Sequence, residues 1–231
     1  MKKFLASIAL TGALMSGTAM AADLSIAPAA FVWSGPYLGL NAGLGQTTWN
    51  NWTEYDGRSN PLDTSGNRKS VNGSSLIGGA QLGYNWQSAN FVYGLEGDFQ
   101  FSGTQSNEQG GWTFDSCGCF NVSMNDFGTL RARAGVTTSR STMLYLTGGA
   151  IVGNLNYSYS DRGSVGSANV TGVGLVVGAG AETKVSEKIS IKLEGLYYDF
   201  GSPRFTVGDT NFDTNINVHG FIGRAGLNFH F

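Results

Sequence analysis

The sequence predicts an all-β protein, an eight-stranded antiparallel transmembrane β-barrel with short periplasmic turns and four long extracellular loops. Three observations carry the prediction. The stretch Asn215–Phe231 alternates: Phe221, Gly223, Ala225, Leu227, Phe229 and Phe231 share one face, while Arg224, Gly226, Asn228 and His230 share the other. A period of two is the period of a strand. The connections between such segments are by turns short and long, the habit of outer-membrane barrels. One parity of every segment is free of charge at mid-height. Lipid on that side and a packed or wet interior on the other would explain it, and strands in lipid must close on themselves because an open edge leaves N–H and C=O groups unpaired.

Lys2 and Lys3 precede an apolar run from Phe4 to Met15 and then Ala19-Met20-Ala21. This is the layout of a secretory signal peptide over residues 1–21, cleaved after Ala21. The apolar run is shorter than the roughly 20 residues of a membrane-spanning helix. Residues 22–36, with Pro28 and two alanine pairs, read as a periplasmic lead-in, and residues 37–231 as the barrel. Without Lys2 and Lys3 the chain holds 12 basic and 16 acidic residues, a net charge of −4 with neutral His. With no polybasic run, nucleic acid is not an expected partner. Glycine is 35 of 231 residues, about double the usual 7% or so. That excess suits tight turns and crowded strand faces and is costly in helices.

Eight alternating segments follow: 37–48, 75–87, 91–102, 125–138, 142–157, 170–185, 189–200 and 215–231. Each reaches the roughly 9–11 residues of a tilted membrane strand. Ser88-Ala89-Asn90, Ser139-Arg140-Ser141 and Ser186-Glu187-Lys188 join them as tight turns, whereas 49–74, 103–124, 158–169 and 201–214 are long and polar. The charge-free parity carries, among others, Leu40, Leu82, Leu95, Leu130, Leu146, Leu175 and Leu193. It is assigned to lipid, where an Arg or Lys at the midplane costs about 2–4 kcal/mol.

The opposite parity holds Glu96, Asp98, Arg131, Arg133, Glu182, Lys184, Lys192, Glu194 and Arg224. In a barrel this narrow the interior is just filled by side chains, so these residues are expected to form a charge network across the lumen. A three-residue hairpin at Ser186-Glu187-Lys188 would set Glu182 opposite Lys192. Similar counting brings Glu194 level with Arg224, and Glu96 and Asp98 level with Arg131 and Arg133. Paired charges would block ions, and Lys192→Ala is then expected to destabilise the barrel and raise its conductance. Tyr84, Trp86, Phe91, Tyr93, Phe229 and Phe231 at one end, and Trp49, Phe101, Tyr157 and Phe221 at the other, suggest two interfacial girdles.

Trp33-Ser-Gly-Pro-Tyr-Leu-Gly-Leu-Asn-Ala-Gly43, Gly83-Tyr-Asn-Trp-Gln87, Tyr93-Gly-Leu-Glu-Gly-Asp98, Gly128-Thr-Leu-Arg-Ala-Arg-Ala-Gly135, Leu193-Glu-Gly-Leu-Tyr-Tyr-Asp-Phe-Gly201 and Arg224-Ala-Gly-Leu-Asn-Phe-His-Phe231 together resemble a known family. It is the small outer-membrane β-barrel surface antigens of alphaproteobacteria, the porin-like, opacity-type proteins. The resemblance covers the strands and leaves out the long loops. It implies an outer-membrane location with lipid as partner, antigenic loops, and a terminal Phe231 read as a signal by the barrel-assembly machinery. Within the family some members are described as porins and some as haem-binding, so a structural surface protein, a narrow porin for small solutes and a haem-binding surface protein all stand as readings. No peptidoglycan-binding domain is expected after the last strand.

No enzymatic activity and no cofactor are expected. His219 and His230 are the histidines, and neither lies in a spacing that marks a Ser-His-acid triad. Cys117-Gly-Cys119, in the second long loop, lacks further ligands nearby for a metal. In an oxidising envelope the pair reads as a loop disulfide, with bonding to another chain as one alternative and haem ligation by His219 or these thiols as another.

Overall fold

The computed structural model describes residues 31–54, 70–103, 119–161, 164–202, 204–207 and 212–231. Among them the chain forms nine strands: β1 Gly35–Glu54, β2 Ser70–Ser88, β3 Phe91–Ser102, β4 Cys119–Thr137, β5 Thr142–Asp161, β6 Ser164–Lys184, β7 Ile189–Asp199, β8 Arg204–Val207 and β9 Phe212–His230. All pairings are antiparallel and follow chain order from β1 to β7. β9 then pairs with both β7 and β1. The sheet thereby closes, and the eight strands β1–β7 and β9 make the barrel wall. Closure leaves no edge for lipid to strip of hydrogen bonds.

The ninth strand is a continuation. β8 pairs along the outer part of β9, Arg204 facing Asn215, just beyond the point where β7 ends with Asp199 facing His219. Between them backbone bonding to β9 reaches Gly201, whose carbonyl accepts from the Val218 amide at 3.1 Å and whose φ of +67° no other residue type adopts as readily. Asp199 Oδ1 accepts from the Gly201 amide at 2.6 Å and holds the bend. The connection expected over 201–214 is therefore partly a twisted ribbon.

The other long connections shorten in the same way. β1 and β2 remain paired to Asn50 and Ser70, and β5 and β6 to Asp161 and Ser164. The strands thus run on past the apolar band, because paired backbone is also the cheapest way to satisfy polar groups in water. β1 likewise starts at Gly35, inside the expected lead-in. Residues 1–30, including the expected signal peptide, lie outside the described residues, as does Cys117. Cys119 is the first residue of β4.

The tight turns are held locally. The Val185 amide donates to Ile189 O at 2.9 Å, and the Ile189 amide to Ser186 Oγ at 3.1 Å. The Thr142 amide donates to Ser139 Oγ at 3.1 Å. A three-residue hairpin at 186–188 follows, and Glu182 faces Lys192 in register.

Outward positions carry the exposed leucines, valines and aromatics of the charge-free parity, among them Leu40, Leu76, Leu146, Leu175 and Leu193. From Phe231 to Phe221 the chain advances about 34 Å at roughly 3.4 Å per residue. At a tilt of about 40° that gives an apolar band about 25 Å tall, the height of an outer-membrane barrel's lipid belt. Outside one rim Trp86 stacks on Tyr93 at 5.7 Å and meets Tyr84 at a tilt, 4.7 Å away, and Tyr197 meets Phe221 near the other at 5.0 Å. Trp49 does not belong to that outer girdle. It shares the inward parity of Thr47 and is fully buried in the lumen.

Candidate functional site

The candidate site is the lumen itself, and it is filled in three layers. At the periplasmic mouth Trp33 is wholly buried and packs with Val92, Met143 and Tyr145. The segment before β1 holds it there like a strap: the Phe31 amide donates to Arg140 O at 3.1 Å, the Trp33 amide to Gln87 Oε1 at 2.7 Å, and Lys184 Nζ to Val32 O at 2.7 Å. The middle layer is charged. The layer toward the loops is apolar: Trp49, Ile77, Met124, Phe127, Ile151, Leu155, Val176, Leu196, Tyr198, Phe200, Val218 and Ile222 form one buried cluster.

Charges two residues apart on one strand point the same way, so β3, β4 and β7 each contribute a pair. Glu96 is the hub. Its carboxylate accepts from Arg131 Nη2, from Lys192 Nζ at 2.8 and 2.9 Å, and from Tyr37 Oη at 2.6 Å. Arg133 Nη1 and Arg224 Nη2 stand 3.6 Å from it. Asp98 Oδ2 accepts from Arg131 Nη2 at 2.9 Å, Arg224 Nη2 at 3.0 Å and Thr129 Oγ1 at 2.7 Å. Glu194 accepts from Arg131 Nη1 at 3.0 Å, Arg224 Nε at 2.8 Å and Tyr145 Oη at 3.0 Å. Glu182 accepts from Arg133 Nη1 at 3.0 Å, Asn228 Nδ2 at 2.7 Å and Ser190 Oγ.

This layer therefore sets Arg131, Arg133, Lys192 and Arg224 against Glu96, Asp98, Glu182 and Glu194. Matching matters because an unpaired charge out of water costs several kcal/mol. Register explains two of the contacts, since Glu96 faces Arg131 and Glu194 faces Arg224 across neighbouring strands. It fails for two others. Glu182 faces Lys192, yet no bond joins them; Lys192 reaches across the lumen to Glu96, while both Glu182 oxygens are taken by Arg133, Asn228 and Ser190. Asp98 faces Thr129, and Arg133 faces Gly94. Arg133 crosses to Glu182 instead, with its guanidinium 4.6 Å over the Tyr37 ring and 5.4 Å over that of Tyr145.

Lys184 stands apart from this layer. Its Nζ donates to the carbonyls of Val32 and Glu187, at 2.7 and 3.1 Å, and lies 5.5 Å over the Trp33 ring. It fastens the strap because the inward parity of β6 reaches the rim at this residue.

Two glycines make room for the tyrosines of the network. A Cβ at Gly83 would stand 2.3 Å from Tyr37 Oη, and one at Gly180 would stand 2.4 Å from Tyr145 Oη. Each tyrosine lies flat over the neighbouring strand and aims its hydroxyl at a carboxylate. Gly83→Ala is expected to lower stability by about 1–3 kcal/mol through overpacking, read as an earlier midpoint in urea. An unchanged midpoint would show that Tyr37 has other room.

A serine, a histidine and an acid do come together. Ser190 Oγ lies 2.9 Å from His230 Nε2, and Glu182 Oε1 lies 3.5 Å from the same nitrogen. In a triad the acid holds the ring nitrogen remote from the serine. Here both partners crowd one nitrogen, and Ser190 is fully buried. The group is a structural part of the floor. His219 faces outward at the upper rim, its Nδ1 2.8 Å from Asn217 Oδ1. Phe231 is 74% exposed and meets Phe229 edge-on at 5.2 Å.

Sequence reasoning missed the apolar layer and the uncharged polar members of the network, Tyr37, Tyr145, Ser190 and Asn228. A signal existed: Ile77, Ile151, Val176, Leu196 and Ile222 all sit on the parity opposite the one assigned to lipid.

Comparison with known proteins agrees with this architecture. The family described as outer membrane protein beta-barrel domain matches residues 9–229. The chain is 34% identical to the 31 kDa outer-membrane immunogenic protein of Brucella melitensis biotype 1, over 98% of each chain. It is 29% identical to the 25 kDa outer-membrane immunogenic protein of the same organism, over 94% of this chain and 92% of the relative. Among solved structures it is similar to Neisserial surface protein A, with 16% identity, a TM-score of 0.45, and coverage of 86% of this chain and 98% of the other. The closed barrel with its lipid-facing band and the near full-length match carry one conclusion: this chain belongs to the outer-membrane protein β-barrel family and resides in the outer membrane.

Proposed function

We propose that the protein is a closed, structural, surface-exposed barrel that contributes to envelope integrity and to contacts at the cell surface. The observation that carries this reading is the lumen packed in series by the Trp33 floor, the matched charges and the apolar cluster around Phe127 and Leu196. A wall built this way resists deformation and offers its loops to the outside, and relatives are named as immunogenic proteins of the outer membrane. No reaction chemistry is assigned to it.

Single-channel recording of the refolded protein tests the reading. Silence is expected. Reproducible stepwise openings would favour a narrow porin for small solutes, and a haem-dependent absorbance change would favour haem binding, for which His219 is the outward histidine. Because the apolar layer lies in series with the charges, Lys192→Ala should destabilise the barrel without making it conduct, a revision of what charge pairing alone suggests.

Export completes the proposal, with residues 1–21 removed as a signal peptide and the mature chain beginning at Ala22. Cys117 and Cys119 form a loop disulfide in it, to be read by mass before and after reduction. Phe231 serves the barrel-assembly machinery more than the fold, given its exposed ring. Deleting it should slow insertion in cells while leaving refolding into detergent nearly intact. Equal failure of both would assign Phe231 a packing role.

A further inference from the structure

The floor of the barrel holds three polar donors without a partner. Arg133 Nη2, Asn85 Nδ2 and Trp33 Nε1 are buried and make no hydrogen bond among the described residues. The first two share one corner. Asn85 of β2 and Arg133 of β4 both face Gly94 of β3 in register, so no side chain stands between them. Val92, the next inward residue of β3, packs against Trp33.

Their orientation is set by the bonds they do make. Arg133 Nε donates to Asn85 Oδ1 at 2.8 Å, which fixes the amide so that Nδ2 is its free end. Nη2 lies on the same edge of the guanidinium as Nε, and thus beside Asn85. Arg133 Nη1 is committed to Glu182 at 3.0 Å.

Every free group in this corner is a donor. Elsewhere in the lumen the free groups are of both kinds, Arg224 Nη1 and Trp49 Nε1 as donors and Asn41 Oδ1 and Gln100 Oε1 as acceptors. A water between Arg133 and Asn85 could accept from both, but the unpartnered groups there offer its own two hydrogens no acceptor. The charge points the same way. Arg133 is one of the four cations of the middle layer, and Nη2 is the end of its guanidinium that no carboxylate takes. An unpaired buried donor costs about 1–3 kcal/mol, more when charged, so an acceptor carrying negative charge answers both deficits.

We propose that the barrel floor binds one small monovalent anion of halide chemistry, held by Arg133 Nη2 and Asn85 Nδ2.

Bromide replaces chloride in the experiment that tests this. Crystals of the full mature chain grown in sodium bromide should show an anomalous peak in contact with Arg133 Nη2 and Asn85 Nδ2. Density there without anomalous signal is a water and overturns the proposal. In detergent, the melting temperature should rise with chloride relative to gluconate at fixed ionic strength. Asn85→Asp places a carboxylate beside Arg133 and should abolish that rise and the bromide peak. A wild type indifferent to chloride, or an Asn85→Asp protein that keeps the full response, overturns the proposal. Should Asn85→Asp fail to fold, the wild-type bromide peak decides alone.

Discussion

Glu96→Ala is expected to destabilise the barrel by about 3–5 kcal/mol, the usual result of removing one member of a buried ion pair. Glu96 is the carboxylate on which the network converges, and Lys192 has no other bonded partner among the described residues. Truncation strands that ammonium in the lumen and removes the acceptor of Tyr37 Oη at 2.6 Å. Arg131 suffers less, because Asp98 and Glu194 remain at 2.9 and 3.0 Å. The measurement is a urea titration in lipid vesicles. Adding Lys192→Met should recover much of the loss, since well-packed apolar replacements of ion pairs are often neutral or better. A single-mutant loss below about 1 kcal/mol would mean that water solvates this layer and that the lumen is not dry.

Trp33→Ala should be comparably severe, at about 3–5 kcal/mol for a fully buried tryptophan. It empties the floor, exposes Met143 and Tyr145 to the periplasm, and removes the ring beneath Lys184. Yet the channel should stay silent, because the charge layer and the apolar cluster lie beyond the strap. Two readouts separate the roles of the strap. Loss of stability with continued silence fits one seal among three, whereas loss of stability with steady currents would make the strap the sole barrier and reopen the porin reading.

The architecture was largely legible because its signal is local. A strand in lipid must show one uncharged face at every second residue, and the tight turns at 139–141 and 186–188 end the alternation where the structure ends β4 and β6. Membrane strands are read from a constraint imposed by solvent on each residue singly. The same reasoning assigned Leu40, Leu82, Leu130 and Leu193 outward, where they are exposed. It misplaced Trp49, since the girdle argument counted aromatics near strand ends without applying the parity that turns Trp49 inward. It also stopped the strands too early, because hydrogen-bonded pairing above the membrane needs no hydrophobic face to reveal it.

The lumen was legible in membership and not in wiring. Glu96, Asp98, Arg131, Arg133, Glu182, Lys192, Glu194 and Arg224 could be named from alternation, and their neighbours across adjacent strands from turn length. Lys192 nevertheless bonds to Glu96 on β3, and Arg133 to Glu182 on β6. Such contacts span the closed barrel, where distance depends on curvature and stagger rather than on position along the chain, and where each oxygen goes to whichever donor arrives with the better angle. For this chain, solvent-facing pattern is a property of each residue and can be read from the string. Partnership across the lumen, the departure of Lys184 to the strap, and the filling of the upper half by Phe127, Leu155 and Leu196 are properties of closure, which exists only once all eight strands of the wall meet.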